Sequence, residues 1–523
     1  LRYSRFGLSL RAASANPEAA RMAGVFSARM STMSWAIAGA VAALTAIMLK
    51  PTLGFVTAQT LGPNLLLRAL VCAVIARMTS LPIALGAGVG VGIIENVLTR
   101  SFPSAGVVEV VLFAITLLVL LLQTRRGGRD EEKGNWNAVQ PWPPLSGWLR
   151  QAGFVRFLGT GTGVATIVLL ALLPLAISNQ AATTLTFILT VTVVGLSAGI
   201  ITGLAGQLSL GQFAIAGVGT AISYHVTTST GNFPLGFFLA GLAGALVSVA
   251  IGLPALRIKG LLLAVTTLAF ALASERFFLQ QPWLLGGGVS PGKPIIGDFA
   301  LDTGRRYYLF ALVVFTLCLV LARNVWRSGL GRRLRAMRDN EDGARAFSIP
   351  ATRVKLQTFA LAGFLAGVGG ALYGHTLSAV NAGQFTVSAN INVIALSVIG
   401  GIGLLAGPLL GALYIIGIPA FIPTSNAGLA ASSFGWLILI LYFPGGLAQL
   451  VRPIRDRAVR LAARGAVPPQ EGQVDAPVGL ASAPPPARAT ARAQPELSAS
   501  QALLTVDGLD SAGGRTATSN IAP

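Results

Sequence analysis

Long apolar segments separated by short polar connections dominate this sequence. Of its 523 residues, 53% are hydrophobic and only 11% are charged, and the charged residues fall mainly between the apolar segments. About 20 apolar residues in a helix cross the ~30 Å hydrocarbon core of a membrane, and several segments reach that length. The segments are continuous rather than alternating, which excludes a membrane β-barrel. The sequence therefore predicts an all-α fold, a polytopic transmembrane helical bundle.

We predict about 14 membrane segments in two groups, separated by a polar stretch with several Trp and Pro residues. The first group is followed by QTRRGGRDEEKG (123–134), whose arginines favour a cytoplasmic position. One short segment, which ends in IGGIG, is a candidate half-helix, because irregular backbone at membrane depth survives where protein or water covers it. The predicted segments are 32–49, 64–77, 82–98, 106–123, 157–178, 181–203, 208–226, 233–253, 260–280, 307–323, 355–378, 391–403, 407–422 and 430–445.

A basic segment, RRLRAMRDNEDGARAFSIPATR (332–353), occurs twice in related form. Residues 324 positions earlier in the chain match it, and the match continues for about 70 positions into the apolar segments. A single basic loop would be explained by topology alone, because Lys and Arg are retained on the cytoplasmic side. Shared apolar composition does not explain a match that includes polar residues, so the chain contains two related membrane units. The matched pairs include Asn16 with Asn340, Ala20 with Ala344, Arg21 with Arg345, and Arg29 with Arg353.

Composition and the repeat together predict five regions. The tail is rich in Pro, Ala, Arg, Gln and Ser and poor in aromatic residues, which is typical of disorder. Within it, QALLTVDGL (501–509) has the pattern of a single β-strand. The regions are a cytoplasmic basic segment with the first repeat copy (1–30), a half-unit (31–125), a linker (126–155), a second, larger unit (156–457) and the tail (458–523).

GLAGQLSLGQ (203–212) is the most informative stretch within the apolar segments. Its uncharged polar side chains could hydrogen-bond a polar zwitterion without burying a full charge, and hydrogen bonding between helices accounts for them equally well. Two threonines lie at mid-depth of the 260–280 segment, where bonding to their own helix is the better explanation. The candidate substrate-path residues are Gly206, Gln207, Ser209, Gly211, Gln212, Thr266 and Thr267.

The sequence offers neither a metal site nor a nucleotide site. His225 and His375 stand alone, and the two cysteines lie in apolar segments without metal-ligand spacing. GGVSPGKP (287–294) has Pro294 where a phosphate-binding loop needs Ser or Thr. A gradient-coupled transporter would need ionisable side chains at mid-depth of its helices, and none stands out in this sequence. We therefore expect energy to enter through the repeated basic segment, from a separate ATPase.

The repeated segment resembles the "EAA" coupling loop of bacterial ATP-binding-cassette importers. GLAGQLSLGQ, RIKGLLLAVTTLAF (257–270), SVIGGIGLLAGPLLGA (397–412) and FPGGL (443–447) together resemble the permease of the branched-chain amino-acid importer family. Ser348 departs from the loop pattern, because Gly is usual there. The resemblance implies that the residues that couple to the ATPase are Asn16, Glu18, Ala19, Ala20 and Gly24 in the first copy, and Asn340, Glu341, Asp342, Gly343, Ala344 and Arg345 in the second.

The resemblance extends over most of the chain. Residues 155–457 resemble the second permease type of that family, and residues 15–125 resemble the C-terminal half of its partner permease type, most clearly in LPIALGAGVGVGIIENVL (81–98). This implies a fusion of two permeases that normally pair. Since the first unit lacks its N-terminal helices and the chain opens on Leu1, we interpret the start as a truncated or mis-started reading frame.

The resemblance also implies function. We expect a non-enzymatic permease subunit of a bacterial cytoplasmic (inner) membrane importer, multi-pass, that binds no cofactor itself and uses ATP hydrolysed on partner subunits. Expected partners are two ABC ATPase subunits, a periplasmic or lipid-anchored solute-binding protein, membrane lipids and a further candidate, a partner permease, without nucleic acid. The expected substrates are branched-chain amino acids, or a related amino acid, urea or a short amide. Two alternatives remain open: an ion-coupled secondary transporter and a truncated, non-functional permease fragment.

Overall fold

A computed structural model describes most of the membrane segments. The described residues are 4–53, 62–78, 80–102, 106–122, 153–256, 260–422, 426–443, 445–450, and positions 453 and 457. The predictions for the linker up to residue 152 and for the tail with its strand at 501–509 lie outside these residues.

The described chain is almost entirely helical, as predicted. A short β-hairpin, Ile295–Ile296 with Phe299–Ala300, lies in the connection before the helix Gly304–Arg327. The helices are α1 Arg5–Ala15, α2 Pro17–Met22, α3 Ser27–Leu53, α4 Pro63–Ile75, α5 Leu81–Ser101, α6 Val107–Leu122, α7 Gly153–Ala176, α8 Asn179–Gly199, α9 Gln212–Thr230, α10 Phe233–Ala255, α11 Leu261–Arg276, α12 Gly304–Arg327, α13 Gly329–Asp339, α14 Glu341–Ala346, α15 Ala351–Thr376, α16 Val387–Gly400, α17 Gly407–Ala412, α18 Ile418–Phe421 and α19 Asn426–Tyr442.

Eight of the described helices are long and apolar enough to cross a membrane, and four shorter helices are also apolar. The prediction of a polytopic, all-α membrane protein is confirmed. A helix occupies each of the 14 predicted segments, usually with ends within about four residues of those predicted. The candidate half-helix at 391–403 is α16, which has 14 residues and is preceded by a 3₁₀ turn. How many helices cross the membrane, and the five-region division, stay predictions.

The sequence repeat is also a repeat of structure. Four helices of the first unit, α1, α2, α3 and α4, begin 324 positions before α13, α14, α15 and α16. Backbone details recur at the same separation. Gly24 and Ser348 both follow the short helix with positive φ, at 79° and 59°. Arg77 and Gly401, which follow α4 and α16, also both have positive φ. The two units therefore share local backbone geometry where their residue types differ.

Helix α15 forms the centre of the second unit because its glycines permit close approach. A β-carbon at Gly367 would overlap the carbonyl of Ala240 on α10, and one at Gly370 would overlap the carbonyl of Ala216 on α9. Small residues at helix contacts are the usual basis of packing in membranes, where burial against lipid gives little driving force. Helix α3 is the repeat of α15, yet none of the residues in its most apolar stretch is buried.

The repeat supplies a matched test of this packing. Replacing Gly363 by leucine should destabilise the protein by about 1–3 kcal/mol or more, because the side chain would overlap the Gly244 carbonyl and the Ser248 side chain. Gly39, the equivalent residue on α3, has nothing within 4 Å of an added β-carbon, so Gly39→Leu should change little. Thermal melting in detergent, followed by size-exclusion chromatography, compares the two. Equal melting temperatures would contradict the close approach of α10 and α15.

Candidate coupling and substrate-path site

The second coupling segment, residues 329–346, consists of the two helices α13 and α14. Ser328 begins α13 by accepting hydrogen bonds from the Leu330 and Gly331 N–H groups with its hydroxyl. Because α13 is amphipathic, it buries Leu334 and Met337 against the bundle and exposes a basic face. The helix therefore lies on the bundle with its apolar side and presents its charges outward.

The short helix α14 is fastened at its start. The Asn340 side chain accepts a hydrogen bond from the Gly343 N–H at 2.8 Å, which satisfies one of the free donors of the first turn. The Glu341 carboxylate accepts hydrogen bonds from Lys355 Nζ at 2.9 Å and from Arg345 Nη2 at 2.6 Å. The Lys355 side chain, on α15, is only 5% exposed. A buried ion pair thus ties α14 to the central helix.

The predicted coupling residues of this segment have different surroundings. Ala344 is buried, at 5% exposure, whereas Asp342 and Arg345 are exposed. Phe347, directly after the helix, is 85% exposed. The segment therefore anchors itself through one face and leaves the other accessible, as a docking element requires.

The first coupling segment, residues 5–22, has the same construction in α1 and α2. The Asn16 side chain accepts hydrogen bonds from the Glu18 and Ala19 N–H groups at 3.1 and 3.0 Å. Ala20 is buried to the same 5% exposure as its counterpart Ala344. Glu18 and Ala19 are exposed, and Gly24 has the left-handed backbone that follows the helix in both copies. Proline replaces the anchoring glutamate, because Pro17 stands where the second copy has Glu341.

The substrate-path stretch lies in the interrupted connection between α8 and α9. Helix α8 ends in a π-helical turn, Ile200–Leu204, and Gly206 then adopts a positive φ of 67°. Single π-helical turns are rare and occur frequently at functional sites. Helix α9 begins at Gln212, four residues later than the predicted start of the 208–226 segment. Ser209 and Gly211 consequently lie in the connection rather than on the helix.

The polar side chains of this connection form one buried cluster. The Ser197 hydroxyl donates to Gln212 Oε1 at 3.1 Å, and Gln212 Nε2 donates to the Ser209 hydroxyl at 3.1 Å. Ser209 and Gln212 are each 2% exposed. Thr267 Oγ1, on α11, accepts a hydrogen bond from the Leu210 N–H at 2.9 Å. Side chains from α8, from the connection, from α9 and from α11 therefore converge on the break.

Asn390 completes the cluster from α16. Its side-chain oxygen accepts hydrogen bonds from the Phe213 and Ala214 N–H groups at 2.9 and 3.1 Å, and the residue is 1% exposed. It caps the first turn of α9 from a helix more than 170 positions away in the chain. Neither Asn390 nor Ser197 was predicted from the sequence. No local signal distinguished them, because α8 also contains several threonines and α16 also contains Asn392 and Ser397.

The break lies within the bundle rather than at its edge. Ser197 precedes the last residue of the π-helical turn by seven positions, which corresponds to about 10 Å along the helix. Since Gln212 bonds to Ser197, α9 starts about that far inside the end of α8. Interrupted helices of this kind are typical of transporter substrate sites, where backbone groups line the path.

The remaining predicted path residues have other positions. Thr266 is buried and donates to the Leu262 carbonyl of its own helix, which is the packing interpretation. Gly206 lies beneath the side chain of Arg338, and Gln207 is partly exposed after the turn. Ser209, Gly211, Gln212 and Thr267 are the ones that the structure brings together, and a β-carbon at Gly211 would lie 3.0 Å from the Thr267 carbonyl oxygen. A role for these residues in transport stays a prediction.

The first unit contains an ion pair that sequence analysis did not single out. Arg68, on α4, donates from Nε to Glu95 Oε2 at 2.8 Å and from Nη2 to Oε1 at 2.5 Å. Each side chain is 29% exposed. Glu275, near the end of α11, accepts a hydrogen bond from the Val387 N–H at 2.9 Å and so caps α16. Within the described residues, no group of three His, Cys, Asp or Glu side chains could hold a metal ion.

Comparison with known proteins decides the family. Residues 1–121 and 180–441 match the family described as "Branched-chain amino acid transport system / permease component", so the match covers both units of the repeat. The chain belongs to this permease family. Its membership confirms the resemblance to the branched-chain amino-acid permease family, and the permease is a multi-pass membrane protein.

The permease is similar to three curated relatives. It is 27% identical over 321 residues to the high-affinity branched-chain amino acid transport system permease protein LivM of Salmonella typhimurium strain LT2, which covers 55% of this chain and 75% of the relative. It is 26% identical to LivM of Escherichia coli K12 with the same coverage. It is 27% identical over 264 residues to the probable LivM of Methanocaldococcus jannaschii, covering 47% of this chain and 76% of the relative. No solved structure matches the permease.

Proposed function

We propose that this permease is the membrane subunit of an ATP-driven importer that moves branched-chain amino acids into the cytoplasm. The observation that carries the proposal is the duplication of the coupling segment. The short helices of the two copies begin and end 324 positions apart, and each has the same asparagine cap. Two segments with helices of the same length and the same asparagine cap suit two copies of one partner. The relatives are permeases whose names specify branched-chain amino acids, which supports that substrate class over urea or short amides.

In this proposal, partner subunits supply the energy for transport and recognise the substrate. Two ATPase subunits dock on α2 and α14 and hydrolyse ATP, a solute-binding protein delivers substrate from outside, and the chain itself binds no cofactor. The membrane is the bacterial cytoplasmic (inner) membrane. Nucleotide-driven movement of a docked segment is rigid-body coupling, and the interrupted α8–α9 connection is the element that can take two arrangements. The most apolar part of α3 is not buried against the described residues. A separate partner permease could supply the helices that pack against it, which fits the same scheme.

Reconstitution tests the proposal. The chain is placed in proteoliposomes with candidate ATPases and a solute-binding protein, and uptake of radiolabelled leucine is followed with ATP, with a non-hydrolysable analogue, and with a protonophore. The proposal requires uptake that depends on ATP hydrolysis and survives the protonophore. Hydrolysis-independent uptake would contradict it, and an absence of both uptake and stimulated hydrolysis would favour a non-functional fragment.

One observation favours the second candidate function, an ion-coupled secondary transporter. The Arg68–Glu95 pair places two ionisable groups on the facing helices α4 and α5. Intramembrane ionisable residues are functional candidates in gradient-driven transporters. The same proteoliposomes distinguish the two mechanisms: uptake that is abolished by the protonophore and unchanged without ATPase subunits would establish the secondary transporter instead.

Replacing Ala344 by leucine should reduce ATP-driven uptake by about tenfold or more, while membrane insertion is retained. The reason is that Ala344 is buried against the bundle, so added volume must displace α14 from its docking position. Uptake and membrane-extracted protein are measured in parallel. Normal uptake and normal association with the ATPase in this variant would show that the position of α14 is unimportant.

A further inference from the structure

Arg338 connects the second coupling segment to the break in the substrate path. It lies at the last turn of α13, and its Nη1 donates a hydrogen bond to the Gly203 carbonyl at 2.9 Å. Gly203 belongs to the π-helical turn that ends α8, where carbonyl groups lack partners within the helix. A guanidinium at a helix C-terminus also interacts favourably with the helix dipole. The contact therefore satisfies both groups.

The aliphatic part of the same side chain lies against Gly206. A β-carbon at Gly206 would lie 2.6 Å from Arg338 Cγ, so the close contact requires glycine there. On its other side, the inner end of α8 meets the turn after α16, because a β-carbon at Gly203 would lie 2.8 Å from the Ile402 carbonyl oxygen. Asp339 holds the guanidinium in place through its carboxylate, 3.0 Å from Nη2. The end of α8 is thus held between α13 and the α16 turn.

The path from this contact to the polar cluster is short. Five residues separate Gly206 from Gln212, and two backbone bonds, Ala205 N–H to the Ile200 carbonyl and Gln207 N–H to the Ile201 carbonyl, fix the start of that connection. Movement of Arg338 with α13 must therefore displace the residues that lead directly to Ser209 and Gln212. Among the described hydrogen bonds, that of Arg338 is the one that joins a coupling segment to residues 200–212.

Among the described residues, the first coupling segment shows no equivalent of this link. The residue that matches Arg338 is Ser14, whose hydroxyl bonds to the Arg11 carbonyl on its own helix. The ion pair of the second copy is also missing, since Pro17 and Ser31 stand at the positions of Glu341 and Lys355. Serine and proline carry no charge, so neither ionic link of the second segment can form in the first.

We propose that Arg338 is a positioning residue that transmits movement of the second coupling segment to the α8–α9 break, and that the two coupling segments are therefore unequal. This rests on the proposed function in one respect, namely that an ATPase moves the segment. The first segment then serves for attachment of a second ATPase, and the second segment alone moves the substrate path.

The test compares two arginines of the same helix in the full chain, reconstituted with its ATPase and binding-protein partners. Arg338→Met removes the link, whereas Arg333→Met removes an exposed arginine whose hydrogen bond, among the described residues, goes to the Gly329 carbonyl of α13 itself. For Arg338→Met we expect hydrolysis within about twofold of wild type and about tenfold more ATP hydrolysed per leucine imported. Arg338→Lys keeps a donor and the charge, so its ratio of ATP hydrolysed to leucine imported should lie between those of the wild type and Arg338→Met. Arg333→Met should leave the ratio unchanged.

A structural role alone gives a different result. If Arg338 only stabilises the fold, hydrolysis and uptake fall together and their ratio stays at the wild-type value, which would overturn the proposal. An Arg333→Met variant with the same increased ratio would overturn it too, because the effect would then belong to the charge of α13 and not to the link.

Hydrogen exchange separates this proposal from the proposed function. In the chain alone, Arg338→Met should accelerate exchange of the Ala205 and Gln207 amides, which lie beside the lost contact, without changing exchange in α1 and α2. Unchanged exchange at these two amides would refute the positioning role, whatever the transport assay shows. If wild-type uptake proves independent of ATP, the proposed function fails, and faster exchange would still establish that Arg338 positions the break.

Discussion

Replacing Glu341 by glutamine should destabilise the permease by about 3–5 kcal/mol, the usual cost of removing one partner of a buried ion pair. The carboxylate lies 2.9 Å from Lys355 Nζ, and the two side chains are 12% and 5% exposed. Glutamine keeps the size and one acceptor oxygen but not the charge. The Lys355 ammonium would therefore remain buried on α15 without the carboxylate that offsets its desolvation. Thermal melting of the purified protein measures the loss.

A second substitution shows whether the ion pair is the cause. Combining Glu341→Gln with Lys355→Met removes both charges, and replacing a buried pair by apolar groups is often neutral or stabilising. The double variant should therefore melt well above the single variant. Glu18→Gln in the first coupling segment alters an exposed acid and should leave melting unchanged. Equal loss in the single and double variants would contradict the role assigned to the pair.

Replacing Asn390 by leucine should remove most transport and loosen the start of α9. Leucine has a similar size but no acceptor, so the Phe213 and Ala214 N–H groups would remain buried without a partner. Each such group costs about 1–3 kcal/mol. We expect the first turn of α9 to unwind, with faster hydrogen exchange at both amides and a decrease in uptake of about tenfold or more.

Aspartate at position 390 is the matched control. It keeps an oxygen acceptor in the same place, and a carboxylate near a helix N-terminus is favoured by the helix dipole. It loses the donor to the carbonyl of Thr386, the N-cap residue of α16, a bond of 3.0 Å. Exchange at Phe213 and Ala214 should therefore stay slow in Asn390→Asp. Slow exchange in Asn390→Leu as well would show that α9 does not depend on this cap.

Much of the fold followed from the sequence because lipid imposes a simple rule. Every backbone polar group must be satisfied within the segment, so an apolar segment of sufficient length is a helix. The 324-position repeat then predicted matching elements, and α1 to α4 begin in register with α13 to α16. Asn16 and Asn340 were predicted as parts of the coupling segments and are the caps of α2 and α14.

The start of α9 could not be placed in the same way. Leu208 and Leu210 continue the apolar pattern, so periodicity predicted a helix from residue 208. The structure begins it at Gln212, because Asn390 satisfies the first amides and Gly206 has already turned the chain. Asn390 and Phe213 are 177 positions apart, and local pattern contains no information on which faces of two helices meet.

The links of the second coupling segment were missed for the same reason. Arg338 was part of a basic segment whose charge alone predicted a cytoplasmic side, and its bond spans 135 positions to Gly203. Lys355 was read only as the start of an apolar helix. These two contacts make the second coupling segment part of the bundle. The first copy has serine and proline at the matching positions, and its short helices pack against each other and against α3.

The most direct test is to measure on which side of the membrane α14 lies and whether an ATPase subunit covers it there. Phe347, 85% exposed beside α14, is replaced by cysteine in a chain without Cys72 and Cys318, and a membrane-impermeant maleimide is applied to oriented vesicles. If α14 is the cytoplasmic docking site of an ATPase, the cysteine is labelled in inside-out vesicles only, and added ATPase subunits protect it. Labelling from the outside, or labelling that the ATPase does not diminish, would contradict this assignment.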